Sequence, residues 1–363
     1  MAQKLRVLLL IPHLGGGGAE QVTALLARGL SRHKYELHLG LVTESNFVRE
    51  PLPPWVRVHF LGARRVRFGA FKLLRLVRDV QPNLILSGMV HLNFLVLLLR
   101  PLFPPRTRVV IRQNSTVSSS LARSGLPWYT YFLYRRLYRH ADRIICQSRD
   151  MADDLANVLG TPQEQIAVLP NPIDFAAIRD ATDNHAGRGD LWHGPGPHLL
   201  AVGRLAHEKG FDLLIEALPM VRRRFPHADL IVAGSGPQEA ALKVQCASLG
   251  LEAAVRFAGW VDRPYIFFPG TSLFALSSRY EGMPNALLEA VAGGLPIVAT
   301  PASGGVVDLL RGRPGAWIAR RASASALASA LLTALCALEP GQRFPLPLSP
   351  SRTPQTHEAG YAG

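Results

Sequence analysis

The sequence predicts an α/β chain made of two doubly wound parallel sheets in tandem. Three observations carry this expectation. Short apolar runs recur along the 363 residues, separated by stretches with helical spacing. Most of these runs do not alternate polar with apolar residues, which suits strands covered on both faces. The rhythm breaks once, across residues 174–197, and then restarts.

The first series opens with a strand at Leu5–Ile11, the glycine run Gly15–Gly18 and a helix from about Ala19 to His33. Strand-like runs follow at Glu36–Val42, Val56–Phe60, Leu84–Leu86, Arg108–Ile111 and Arg143–Cys146, with helical stretches at Phe68–Val80 and Tyr129–His140. The second series has strands at His198–Val202, Asp229–Ala233, Val255–Ala258, Leu273–Leu276 and Pro296–Thr300. Its helices fall at about Gly210–Phe225, Pro237–Leu249, Pro284–Ala292, Gly304–Leu310 and Ser323–Leu338. The expected domains are 1–173 and 198–339, joined by a linker at 174–197 that is rich in Asp, Gly, His and Pro in its later part. A Pro- and Ser-rich tail at 340–363 is expected to be disordered.

Composition narrows the class. The chain is 48% hydrophobic and 18% charged, so it can build cores. Its net charge of +14 is uneven. Residues 1–170 carry 23 Lys and Arg against 10 Asp and Glu, whereas residues 171–363 carry 17 against 16. The basic half calls for an anionic partner: a membrane leaflet, a phospholipid-like diphosphate or a nucleic acid. Neither an aromatic RNA-binding motif nor a zinc site is present, which argues against nucleic acid. Cys146, Cys246 and Cys336 have neither metal-ligand spacing nor a disulfide framework, so a reducing cytosol is expected. The N-terminus enters a strand directly, without a cleavage site. The greasiest window, Leu84–Arg100, holds Ser87, His91 and Asn93 and reads as a strand, a loop and a core helix.

Polar clusters fall where strands end, which is where open α/β sheets bind ligands. After the first strand comes HLGGGGAEQV, a tight turn or a backbone that approaches a ligand. It lacks the dinucleotide setting, because no acidic residue ends the next strand. After HLLAVGRL come Arg204 and Lys209, suited to a fork-like grip and a mobile point charge on phosphate. Ser235-Gly236-Pro237 opens a helix, either as a plain helix start or beside a nucleotide. Trp260-Val261 could meet a base or pack in a core. Glu281-Gly282-Met283-Pro284-Asn285 precedes a helix carrying Glu289. Pro284 is expected in the first helical turn, with neighbouring N–H groups facing a ligand. The alternative for the two glutamates is a capping residue and a surface residue.

Taken together, these residues resemble the retaining glycosyltransferases of family 4, which have the GT-B fold. The matching pieces are GGAEQV, LPNPID at 169–174, GRL…EKGFDLLIEAL, GSGP, EGMPNALLEAVAGGLPIVAT and Gly304-Gly305. The GGAE run with QNS at 113–115 is similar to the subgroup that builds bacterial surface polysaccharides on lipid carriers. The resemblance implies two Rossmann-like domains facing an interdomain cleft and a UDP- or GDP-sugar donor on the second domain. Carried over by position, Arg204 and Lys209 would hold the donor pyrophosphate and Glu289 the ribose. Glu281, with the backbone of Gly282 to Asn285, would contact the transferred sugar. Gly16 and Gly17 would close on the diphosphate, and Gly236, Trp260 and Val261 would border the nucleotide. His91 is the nearest match to a histidine that the family often places in the cleft.

No cofactor is implied, and no metal, since no Asp-x-Asp motif exists to hold one. The implied acceptor is lipid-linked or a glycan, with the enzyme peripheral on the inner face of the cytoplasmic membrane. The basic, aromatic stretches 64–80 and 128–140 suit an anionic leaflet, or a core helix with a solvated basic edge. A sugar-nucleotide 2-epimerase and a non-catalytic nucleotide-sugar-binding protein are the alternatives on the same fold. One departure is that relatives commonly finish with a long helix, whereas this chain turns Pro-rich after Leu338.

Overall fold

The computed structural model describes residues 4–15, 17–43, 51–123, 129–183, 191–192 and 194–345. Its backbone separates into two compact units that change over between Pro172 and Ile173.

The first unit holds a seven-stranded sheet. Its strands are β1 (Leu5–Ile11), β2 (Tyr35–Leu41), β3 (Arg57–Phe60), β4 (Leu84–Ser87), β5 (Arg108–Arg112), β6 (Arg143–Cys146) and β7 (Ile166–Val168), in the order β3-β2-β1-β4-β5-β6-β7. Every pairing is parallel. The helices are α1 (Gly18–Gly29), α2 (Ala70–Val80), α3 (Val90–Leu99), α4 (Val117–Arg123), α5 (Tyr129–Tyr138) and α6 (Arg149–Leu159). The apolar run of β1 feeds two cores. Leu8 and Leu10 join one with α2, α3 and α5, while Val7, Leu9 and Ile11 join the other with α1. This explains why the run does not alternate: both faces of β1 are covered.

The second unit holds six parallel strands: β8 (His198–Val202), β9 (Asp229–Ala233), β10 (Val255–Gly259), β11 (Leu273–Leu276), β12 (Ile297–Ala299) and β13 (Ala316–Ile318). Their order is β10-β9-β8-β11-β12-β13. The helices are α7 (Phe175–Asp183), α8 (Phe211–Arg224), α9 (Glu239–Ser248), α10 (Asn285–Ala292), α11 (Gly304–Leu310) and α12 (Ala324–Ala337). Leu199 and Ala201 face one core and Leu200 the other, so β8 is also covered on both sides.

In each sheet the strand order reverses once, between β1 and β4 and between β8 and β11. Loops leaving the carboxyl ends of those two strands diverge and open a crevice for ligands.

Three differences from the sequence reading have clear causes. The expected linker begins with α7, whose Ile178 and Ala181 are buried against Phe268 and Leu288 in the second unit. Trp192, in the same stretch, donates from Nε1 to the Phe267 carbonyl at 3.1 Å and stacks on His198. The tail is anchored where it begins. Arg343 donates to the carbonyls of Phe268 and Pro269 at 3.1 Å each, and the Phe344 N–H donates to Gly294 O at 2.7 Å. The remainder of the expected tail, 346–363, lies outside the described residues. Pro284 lies just before α10 with extended ψ rather than inside its first turn. The window 84–100 becomes β4 and the ten-residue α3, and among the described residues no helix is long and apolar enough to cross a membrane.

Candidate active site

The loop after β8 turns through a short 3-10 segment, His207–Lys209, and enters α8 at Gly210. Gly210 has φ of +62°, and a Cβ there would lie 2.2 Å from the carbonyl oxygen of Ser277. Only glycine satisfies both conditions. The contact presses the loop after β8 onto the loop after β11, and Ser277 Oγ fastens it by donating to Lys209 O at 2.8 Å.

At this junction Lys209 Nζ donates to Glu281 Oε1 at 2.6 Å. Ser278 Oγ donates to the same oxygen at 2.7 Å. Both charged side chains are mostly withdrawn from water, at 23% and 11% exposed, so their attraction is screened less than that of a surface pair. The loop after β12 completes the support. Glu281 N–H donates to Ala302 O at 3.0 Å, and Ser303 Oγ donates to Gly282 O at 3.0 Å while accepting from Val306 N–H at the start of α11.

Arg204 is placed differently. Its guanidinium is 68% exposed and pairs with Glu208. Burial alone would raise the Glu208 pKa, but hydrogen bonding to Arg204 and the charge of Lys209 bring it below its ordinary value. The structure therefore joins Lys209 to Glu281 and leaves Arg204 one loop turn away, with its head group largely in solvent.

Arg279 is a residue the sequence reading missed. It grips Asp212 with two hydrogen bonds, of 2.7 and 2.5 Å, and donates to His207 O at 2.9 Å. Its own N–H donates to Glu208 O at 2.8 Å. The fork ties α8 and the Lys209 turn to the Glu281 loop. The signal was available: Arg279 stands two residues before Glu281, at the end of a predicted strand.

The rest of the second-unit set is distributed as follows. Gly282 and Pro284 are buried, Met283 and Asn285 half-buried. No acidic residue lies in the first turn of α10, so the positive end of its dipole is not offset there. Glu289 is 7% exposed, which excludes a surface glutamate. Glu281 accepts from Lys209 and Ser278, which is not the geometry of a helix cap. Gly236 sits against backbone: a Cβ there would lie 2.4 Å from Leu205 O. Leu205 N–H donates to Ser235 O and Gln238 N–H to Leu205 O, both at 2.9 Å, so the Ser235–Gly236 loop is stitched to the Arg204 loop. Trp260 is 42% exposed and donates from Nε1 to Asp262 Oδ1 at 3.1 Å, so its ring does not enter a core. Val261 packs against the core beneath α10.

In the first unit the loops after β1 and β4 leave the corresponding switch point. Gly16 lies outside the described residues; Gly17 precedes α1 in extended conformation. Glu20, buried in the first turn of α1, folds its carboxylate beneath Gly17 and lies 3.6 Å from His13 Nδ1. His91 is the second residue of α3, exposed, with a pKa lowered by partial withdrawal from water and then by the imidazole of His13. His13 and Glu20 thus join His91 at this edge; neither was singled out by spacing.

Comparisons with known proteins agree with this architecture. A model described as "Glycosyltransferase Family 4" matches residues 16–177, and one described as "Glycosyl transferases group 1" matches residues 196–336. An N-acetylgalactosamine-N,N'-diacetylbacillosaminyl-diphospho-undecaprenol 4-alpha-N-acetylgalactosaminyltransferase of Campylobacter jejuni subsp. jejuni is 28% identical over 313 residues, 83% of this chain and 82% of that protein. Mannosylfructose-phosphate synthase of Agrobacterium fabrum is 36% identical over 178 residues, 45% of this chain and 38% of that one. Among solved structures, HepE of Anabaena in complex with UDP and glucose superimposes with a TM-score of 0.75 at 18% identity, covering 98% of this chain and 95% of its own. Two parallel sheets with the same reversal of strand order, and family models that between them cover most of both units, make this chain a glycosyltransferase of family 4 with the GT-B fold.

Proposed function

We propose that this chain moves a sugar from a UDP- or GDP-linked donor to a lipid-linked or glycan acceptor, with retention of anomeric configuration, in the synthesis of a cell-surface polysaccharide. The observation that carries this reading is the Lys209–Glu281 pair at the β8/β11 switch point.

As the bond from the anomeric carbon to the phosphate oxygen breaks, the departing diphosphate gains negative charge. Lys209 and Arg204 supply two cations from one loop, and the positive end of α10 adds a third source of stabilisation. When Lys209 turns to the phosphates, Glu281 is free to accept hydrogen bonds from sugar hydroxyls, still steadied by Ser278. Glu289 holds the ribose, and Gly236, Trp260 and Val261 border the nucleotide, with Gly282 to Asn285 along the sugar. Gly16 and Gly17 let backbone approach the diphosphate, and His91 orients the acceptor. The acceptor hydroxyl attacks the face that the diphosphate leaves, and its proton passes to the departing phosphate oxygen. The two cations provide the neutralisation that a divalent metal provides elsewhere, so no metal is assigned to the reaction.

The relatives support this reading. HepE was solved with UDP and glucose, and the Campylobacter transferase is named for a diphospho-undecaprenol-linked acceptor. In the same reading the enzyme works on the inner face of the cytoplasmic membrane as a peripheral protein.

The test is a thermal-shift panel of UDP-, GDP- and ADP-sugars on the wild type and Lys209→Ala. One donor class should raise the melting temperature of the wild type by mass action and lose most of that effect in the variant. Turnover with an accepted donor should give product of unchanged anomeric configuration by NMR. A wild type that responds to no nucleotide sugar, or an inverted product, overturns the reading.

A further inference from the structure

Phe71 and Phe68 are the most exposed aromatic side chains among the described residues, at 76% and 65%. Phe71 is the second residue of α2, whose buried stripe is formed by Leu73, Leu76, Val77 and Val80, and Phe68 stands in the 3-10 turn Val66–Gly69 that leads into it. The opposite stripe runs Phe68, Phe71, Lys72, Arg75 at helical spacing, and all four are exposed. Residues 64–80 contain six basic side chains (Arg64, Arg65, Arg67, Lys72, Arg75 and Arg78) against one acid, Asp79. The Arg67 guanidinium lies over the Phe68 ring, 4.9 Å from its centroid.

Among the described residues neither ring belongs to a core of this unit, and leaving them in water is unfavourable. A second, smaller instance stands on α5, where Tyr129 and Phe132 are 49% and 60% exposed and Arg135 and Arg136 follow. α3 packs between the two helices. Topology sets both aromatic pairs at one edge of the sheet. α2 begins after β3 ends, and α5 ends just before β6 begins, so both helices start at the carboxyl edge of the strands. That is also the edge from which the loops after β1 and β4 emerge.

The geometry points to a membrane-docking face: Phe68 and Phe71 insert into an anionic lipid leaflet while the arginines and Lys72 around them hold the headgroups. The inference deepens the proposed function by naming the surface that meets the membrane. Its occupant is a lipid bilayer rather than a nucleic acid strand, because two exposed phenylalanines set among six basic side chains match the apolar interior and the anionic headgroups of one leaflet. Rings at the end of an interfacial helix reach about 5–10 Å into the headgroup boundary, and each nearby basic residue adds electrostatic attraction that salt weakens. In this orientation the carboxyl edge of the first sheet faces the leaflet, so a lipid-linked diphosphate meets the His13, Glu20 and His91 edge without leaving the bilayer.

The test is co-flotation of the full chain with phosphatidylglycerol-containing vesicles and with pure phosphatidylcholine vesicles, for the wild type, Phe68→Ser/Phe71→Ser and Arg67→Glu/Lys72→Glu/Arg75→Glu. The wild type should float with the anionic vesicles only, and less as salt rises. Each variant should lower the bound fraction, the phenylalanine pair by at least about tenfold in apparent affinity. Both variants should keep the wild-type melting temperature and donor-induced shift. If donor binding fails for all three proteins while flotation behaves as stated, the docking face stands and the donor reading falls. Equal flotation by both variants, no wild-type binding to anionic vesicles at low salt, or tighter binding of an oligonucleotide than of vesicles overturns the docking face.

Discussion

Lys209 Nζ and Glu281 Oε1 lie 2.6 Å apart, although 72 residues separate them in the chain. The pairing is made by two strands that adjoin at the point where the sheet reverses its order. Because the ammonium already has a partner, it is held in place before any donor arrives and need only exchange one oxygen for another. Lys209→Ala is expected to lower kcat/KM by about 10²–10³ and also to lower the melting temperature, because the mostly buried Glu281 carboxylate loses its cation. Lys209→Arg should recover part of the rate, since charge returns but the contact geometry does not. Steady-state transfer kinetics beside thermal unfolding separate these outcomes, and wild-type turnover in Lys209→Ala would count against the assigned role.

Gly210→Ala tests the seam between the two loops. The new Cβ would meet the Ser277 carbonyl at 2.2 Å in a backbone conformation that disfavours side chains. Destabilisation of about 1–3 kcal/mol is expected from the strained backbone. The effect should extend to activity, because the same shift moves Lys209. Chemical denaturation with parallel donor titration would detect both. A variant of unchanged stability and activity would mean that the loops are not pressed together.

The Arg279–Asp212 fork predicts a response to acid. Burial pushes the Asp212 pKa up, but the Arg279 hydrogen bonds and charge outweigh it and hold the carboxyl below its ordinary value. A carboxyl depressed in the folded state contributes stability that is present above its unfolded pKa of about 3.9 and is lost as pH falls through the folded value. Asp212→Asn should therefore lower the melting temperature at neutral pH and flatten its dependence below about pH 4. Arg279→Lys should behave similarly, because lysine cannot form the fork. Superimposable melting curves from pH 3 to 7 for wild type and variants would refute this.

His38 on β2 predicts a second window. It is buried and shares a hydrogen bond of 2.9 Å with His59 on β3, with Glu36 and Arg57 beside them. Burial, then the neighbouring His59, lower its pKa below 6.5. A base whose folded pKa is lowered binds fewer protons folded than unfolded. Its contribution is full above about pH 6.5 and declines as pH falls through that value toward the folded pKa. The melting temperature should drop between about pH 7 and 5, and His38→Asn/His59→Asn should remove part of that drop. Calorimetry across this range checks it; a double variant with an unaltered slope would rule the pair out.

Much of this architecture was legible in the chain. The unbroken runs of β1 and β8 announced strands covered on two faces, and the structure divides each between two cores. The polar loops at strand ends pointed to Lys209 and Glu281, which the fold then joined. What stayed hidden is of two kinds. β7 and β13 are three residues each and only partly buried, unlike the equally short β12, whose residues are all buried. The Gly210–Ser277 and Gly236–Leu205 approaches are contacts between loops, so the sequence could mark the glycines but not their targets. The helix α7 escaped notice because its amphipathic residues run into a stretch of Asp, Gly and His. Arg279 was visible, but its value lies in Asp212, 67 residues away.

The hold of Arg343 and Phe344 on the second unit bears on how the protein is handled in the laboratory. A fusion partner spliced directly after Ala337 would remove the Arg343 guanidinium from the carbonyls of Phe268 and Pro269 and the Phe344 N–H from that of Gly294. Expression boundaries for the second unit therefore belong after Pro345 rather than at the end of its last helix, and at its other end before Ile173 rather than at His198.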